Sequence, residues 1–121
     1  MSKIQRFEDL KSWQKARELS NVVYDVTLGK EFFKDFDLRN QMRRAASSVM
    51  HNIAEGFDAG SDAEFSRFLR IARRSASETQ SHLYLAIDQN YISRVQFDSI
   101  YGRCTEVNKL INGLLRYLSK D

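Results

Sequence analysis

The chain predicts an all-α fold, an antiparallel up-and-down four-helix bundle with left-handed packing. Three observations carry this reading. Apolar residues recur at helical spacing in four long stretches. Proline is absent and glycine occurs only five times, so every non-terminal residue keeps its amide donor and long helices can run uninterrupted. The connections between the stretches are short and carry capping signals. In such a bundle each helix buries one face and crosses its neighbours at about +20°.

Helix one is expected at about residues 9–28. Ala16, Leu19, Val23 and Val26 share one face, with Trp13 and Ser20 at its border. Phe7 stands just before it as a hydrophobic staple, and Gly29 stops it. The next connection holds Phe32, Phe33 and Phe36, which read as a plug over one end of the bundle. Asp37 is the expected N-cap of helix two, at about residues 38–55. Here Leu38, Met42, Ala45, Val49 and Ile53 form the core face. The small residues at 45–48 let another helix come close. Gln41, Arg44, Ser48, Asn52 and Glu55 form a polar stripe away from the core, and Gly56 is the expected stop.

Helix three is expected at about residues 62–89, opened by Ser61 and Glu64 in capping-box spacing. Phe65, Leu69, Ala72, Ala76, Thr79, Leu83 and Ala86 follow a strict heptad pattern of alternating steps of four and three. Ser93 and Gln96 repeat the capping-box spacing for helix four, at about residues 94–119. Its seam is Phe97, Ile100, Cys104, Val107, Ile111, Leu114 and Leu118. No internal repeat, low-complexity stretch or linker interrupts the 121 residues, so residues 1–121 read as one domain.

Composition narrows the function classes. Charged residues at 29% and aromatics at 12% fit a globular chain, not a disordered one. The single cysteine, Cys104, excludes an internal disulfide and falls on a core position, which implies a buried thiol. No stretch nears the roughly 20 apolar residues of a transmembrane helix and the N-terminus lacks a signal-peptide pattern, so a cytoplasmic location without membrane contact is expected. His51 and His82 stand in no metal-ligand spacing, and no nucleophile elbow or phosphate-cradling glycine loop occurs. The residues therefore predict no enzyme, no metal, no cofactor and no small-molecule substrate. The net charge is only +3, but its distribution is uneven: between Phe36 and Asn108 there are nine arginines and no lysine. Arginine's planar fork suits bidentate contact with phosphate or carboxylate.

The strings QxRRAxxSxxxNIAEGF from Gln41 and EFxRFLxIA from Glu64 to Ala72 resemble the four-helix-bundle family named after the 23S rRNA intervening sequence. The likeness extends from Phe7-Glu8-Asp9-Leu10 and Trp13-Gln14-Lys15-Ala16 to the last helix. Two positions depart from the family's habit. Met50 stands where many members carry proline, and residues 31–36 replace a proline-containing loop. The resemblance implies a bacterial protein without established enzymatic activity that forms a ring-like homopentamer. Some members of the family are encoded inside 23S rRNA genes.

Three groups are candidate sites. Arg67, Arg70 and Arg74 share one side of helix three, with Arg73 beside them and Arg43 and Arg44 on helix two. They fit either a ridge that grips phosphates or a solvated face with ion pairs to Asp62, Glu64 and Glu78. The polar stripe Gln41, Arg44, Ser48, Asn52 and Glu55 reads as a structural network, in which the Asn52 amide both donates and accepts. Ile71 and Leu85, with Met50 and Ala54, are apolar positions at or beyond the core stripes and are candidates for a subunit interface. The leading expectation is an oligomeric protein that binds RNA, such as rRNA, or another nucleic acid through a basic surface. The alternative is a protein-interaction scaffold with no nucleic-acid role, since distant relatives of this fold serve as accessory proteins to reverse transcriptases.

Overall fold

A computed structural model describes residues 4–120. After a 3-10 turn at Phe7–Asp9 come five helices: α1 (Lys11–Val26), α2 (Lys30–Lys34), α3 (Phe36–Asp58), α4 (Asp62–Asp88) and α5 (Arg94–Leu118). The four long ones are the four expected from periodicity. α3 packs on α1 and α4, and α5 packs on α4 and α1, so the four close around one core. Specific contacts set the directions. Ser48 of α3 meets Ser75 of α4 while Gly56 meets Phe65 and Phe68, so these two helices run oppositely. Arg73 reaches Asn112 while Gln80 reaches Thr105, which sets α5 opposite to α4.

The core follows the heptads. All seven expected positions of α4 are buried, from Phe65 to Ala86. On α5 the seam holds from Phe97 to Ile111, whereas Leu114 and Leu118 are only half-buried. On α1 the last apolar position, Val26, is likewise half-buried, and Thr27 takes the buried place after it. The Thr27 hydroxyl donates to the carbonyls of Val23 and Tyr24, which satisfies it inside the protein.

Several expected helix ends move, each for a physical reason. α1 starts at Lys11, because Leu10 is extended, and Phe7 packs its ring on Trp13 with centroids 5.3 Å apart. Asp35, not Asp37, caps α3: its Oδ1 accepts from the Leu38 amide at 3.2 Å. Gly56 does not stop α3, which continues to Asp58. A Cβ on Gly56 would lie 2.8 Å from the Phe68 Cβ and 3.2 Å from the Phe65 carbonyl oxygen, so this glycine sets the close approach of α4. The left-handed glycine of the turn is Gly60, at φ 92°. Ser61 caps α4 as expected, but Glu64 does not complete the box, because its carboxylate is taken by Arg67. The Ser93–Gln96 box of α5 is complete. Before it, the Asn90 amide donates to the Ile87 carbonyl and the Tyr91 amide to that of Ala86, a Schellman ending with Asn90 at φ 60°.

The phenylalanine connection also differs from the expectation of a three-ring plug. Only Phe32 is buried, stacked on Tyr91 with centroids 5.0 Å apart. Phe33 and Phe36 face outward. Phe33 follows the buried Phe32 on short α2, whose successive side chains cannot all point to one core, and Phe36 opens α3 two positions before its first core residue, Leu38. Tyr91 in turn donates its hydroxyl to Asp35 Oδ2 at 3.0 Å, which ties the start of α3 to the α4–α5 turn.

Candidate nucleic-acid interface

The arginines expected to form a ridge divide into two kinds. Arg67 is a paired cation: its Nε and Nη2 each lie 3.1 Å from the Glu64 carboxylate, and its guanidinium covers the Phe68 ring at 4.4 Å. The pairing holds the Glu64 carboxyl below its ordinary value and raises that of Arg67, in both cases chiefly through the side-chain hydrogen bond. Arg73 is half-buried and donates to Asn112 Oδ1 at 2.8 Å, so it fastens α4 to α5. Arg43 is half-buried and donates to Thr27 Oγ1 at 2.8 Å, which fastens α3 to the end of α1. Arg44, Arg70 and Arg74 are exposed, and their guanidinium groups make no ion pair or hydrogen bond among the described residues.

Arg44 lines an open concavity of about 610 Å³ between α3 and α4, with Gln41, Ser48, Asn52, Ser75 and Glu78. A short polar chain forms its floor. Asn52 Nδ2 donates to the Ser48 carbonyl at 2.8 Å and to the Ser48 hydroxyl at 2.9 Å, and that hydroxyl lies 2.9 Å from the Ser75 hydroxyl. The small residues at 45–48 permit this approach. Of the polar stripe, Ser48 and Asn52 thus join through Ser75, which sequence reasoning did not single out. Gln41 and Arg44 line the same hollow, while Glu55 is exposed outside its lining.

The apolar candidates do not form one patch. Ile71 is half-buried and Leu85 is 52% exposed, with Glu78 and His82 between them on the same side of α4. His82 Nε2 lies 3.2 Å from Glu78 Oε2. Met50 packs against the core, and Ala54 is half-buried beside it. Met50 lies two positions beyond Ser48, on the opposite flank of α3 from α4. It shares that flank with Arg43, which reaches α1.

A second cluster lies where α1, α2 and α3 meet. Arg43 stands over the Tyr24 ring at 4.5 Å and reaches the Phe33 ring at 5.9 Å. Arg39 stands over Phe33 at 4.3 Å and over Phe36 at 4.8 Å. Rings and guanidinium groups therefore alternate in one row, Tyr24, Arg43, Phe33, Arg39 and Phe36. Sequence reasoning placed Phe33 and Phe36 in the plug and passed over Tyr24 and Arg39. The available signal was an arginine three residues after Phe36 and six after Phe33, close to one helical face.

The chemistry of the remaining reactive groups is quiet. Burial pushes the Cys104 thiol up to about 12, so it stays protonated and unreactive in the folded protein. Among the described residues, no group of three or more His, Cys, Asp or Glu side chains is placed to hold a metal ion. No helix among them is long and apolar enough to cross a membrane.

Fold and site together define a small all-helical bundle protein with an arginine-bearing surface. The chain belongs to the 23S rRNA-intervening sequence protein family, whose model matches residues 8–113. It is also similar to a crystal structure of a protein with unknown function from the S23 ribosomal protein family of Bacteroides thetaiotaomicron. The two are 32% identical, the match covers 87% of this chain and 98% of that one, and the TM-score is 0.79. No curated protein matches the chain.

Proposed function

We propose that this chain is a non-enzymatic, cytoplasmic bundle protein that assembles as a homopentamer and binds RNA through its arginine surface. The observation that carries the reading is the set Arg44, Arg70 and Arg74, exposed and without a carboxylate partner among the described residues. By contrast, Arg67 is neutralised by Glu64 and Arg94 by Asp98. Unpaired guanidinium groups are what a phosphate backbone engages. Repeating three such groups around an assembly raises effective affinity without new contacts. That gives a protomer of net charge +3 a route to RNA. Membership of a family named for an rRNA insertion agrees with this.

Affinity purification from the native cell, with half the sample treated with nuclease, tests the reading. RNA should co-purify with the wild-type chain and be lost from Arg70→Gln/Arg74→Gln. Equal RNA in both samples would place the contact elsewhere. A protein-interaction scaffold is the second reading. It is favoured by an apolar notch of about 320 Å³ between α1 and α5, lined by Val22, Val26, Val95 and Ile100.

A further inference from the structure

We propose that the row Tyr24, Arg43, Phe33, Arg39 and Phe36 is a stacking platform for the unpaired bases of single-stranded RNA. This rests on the RNA-binding reading above and adds the class of RNA segment and the place it docks. The rings are open although each carries a guanidinium: Tyr24 is 44% exposed, Phe33 41% and Phe36 62%. Three open rings in one row are not needed for the core, since Phe32 is the one phenylalanine of that connection to be buried, stacked on Tyr91. A base has a π-face that stacks on an aromatic ring or on a guanidinium plane, whatever its sequence.

The charges of the row select the occupant. Both arginines donate to neutral acceptors: Arg39 to the Phe33 carbonyl at 3.0 Å and to Asn40 Oδ1 at 3.1 Å, Arg43 to Thr27 Oγ1 at 2.8 Å. The nearest acidic groups of α2 and its cap are engaged elsewhere. Glu31 pairs with Lys34 at 3.8 Å, and Asp35 accepts from the Leu38 amide and the Tyr91 hydroxyl. The two positive charges of the row thus remain for an anionic partner. By contrast, the stacked Arg67 and Arg94 are each held by a carboxylate, so their rings offer no free charge. An apolar peptide would leave the two guanidinium groups unanswered, whereas a single strand brings bases for the rings and phosphates for the arginines. The row is also held in place: the hydroxyl that positions Arg43 belongs to the buried Thr27.

Fluorescence anisotropy with a labelled polyuridine of about 12 nucleotides and an RNA duplex of similar length tests this, given that stacking contributes about tenfold or more in affinity per base. Phe33→Leu/Phe36→Leu keeps apolar volume and removes two π-faces, and Arg39→Lys keeps charge and removes the planar fork. The double variant should bind polyuridine at least about tenfold more weakly than wild type and the duplex unchanged. Arg39→Lys should fall between the two on polyuridine. Unchanged polyuridine affinity in both variants overturns the platform, and if Arg70→Gln/Arg74→Gln still loses RNA the broader reading stands. Wild-type protein that binds neither probe at low salt overturns both. A change in assembly mass of the double variant without RNA also overturns the platform, since the row would then be a contact between copies.

Discussion

Gly56 and Asp35 carry more of this fold than their residue types announce. Gly56 is buried in the last turn of α3, inside a helix, where alanine would normally gain about 0.5–1 kcal/mol from reduced chain entropy. Here the added methyl would meet the Phe68 Cβ and the Phe65 backbone, and neither can rotate away. Overpacking of this kind costs about 1–3 kcal/mol, so Gly56→Ala should lower stability in a urea titration. Asp35 accepts the Tyr91 hydroxyl, and that hydrogen bond, with burial second, raises the Tyr91 pKa above its ordinary 10.0. A raised folded value means that the native state holds its proton more tightly than the unfolded chain. The stabilisation is therefore complete below the ordinary tyrosine range and is lost as pH rises through the folded value. Tyr91→Phe should unfold at lower urea than wild type at neutral pH, and the gap should close in strong alkali. The sequence names both residues but not these roles. A glycine after a helical run reads as a stop, and only the path of α4 across it reveals a packing site.

The long helices were legible because their periodicity is strict. The heptads of α4 placed seven side chains in the core without error, since each step of three or four returns to the same face. Leu83 is fully buried, so Leu83→Ala should cost about 2–5 kcal/mol by chemical denaturation. A cost below about 0.5 kcal/mol would mean that the core does not pack on this face. Short α2 was not legible. Its five residues span little more than one turn, too few to repeat a period, and its rings find partners on Tyr91 and on Arg39 and Arg43 of α3. The same reason hid the division among the arginines. Spacing put Arg67, Arg70 and Arg74 together, but whether each cation is paired depends on side-chain reach, which spacing does not encode.

For the whole molecule, periodicity specifies how one chain folds and leaves the number of copies open. Our proposal that copies associate leans on Leu85, half exposed on a helix whose other apolar face is already filled, and the number five is what the family resemblance implies. Light scattering on eluting protein should give a mass near five times 14.1 kDa. Leu85→Asp should lower that mass while helical content stays, because a charge would enter an apolar contact. A monomer in the wild type at micromolar concentration would remove the assembly and, with it, the multiplication of weak sites. The central claim, RNA binding through unpaired arginines, is tested most directly by the salt dependence of affinity for a structured RNA. Each phosphate contact contributes roughly −0.9 to the slope of log K against log salt on a duplex, so an assembly engaging several arginines should give a slope magnitude above about 4. Arg70→Gln/Arg74→Gln should flatten it. Absence of binding at low salt, or a slope that the double variant leaves unchanged, would contradict the account.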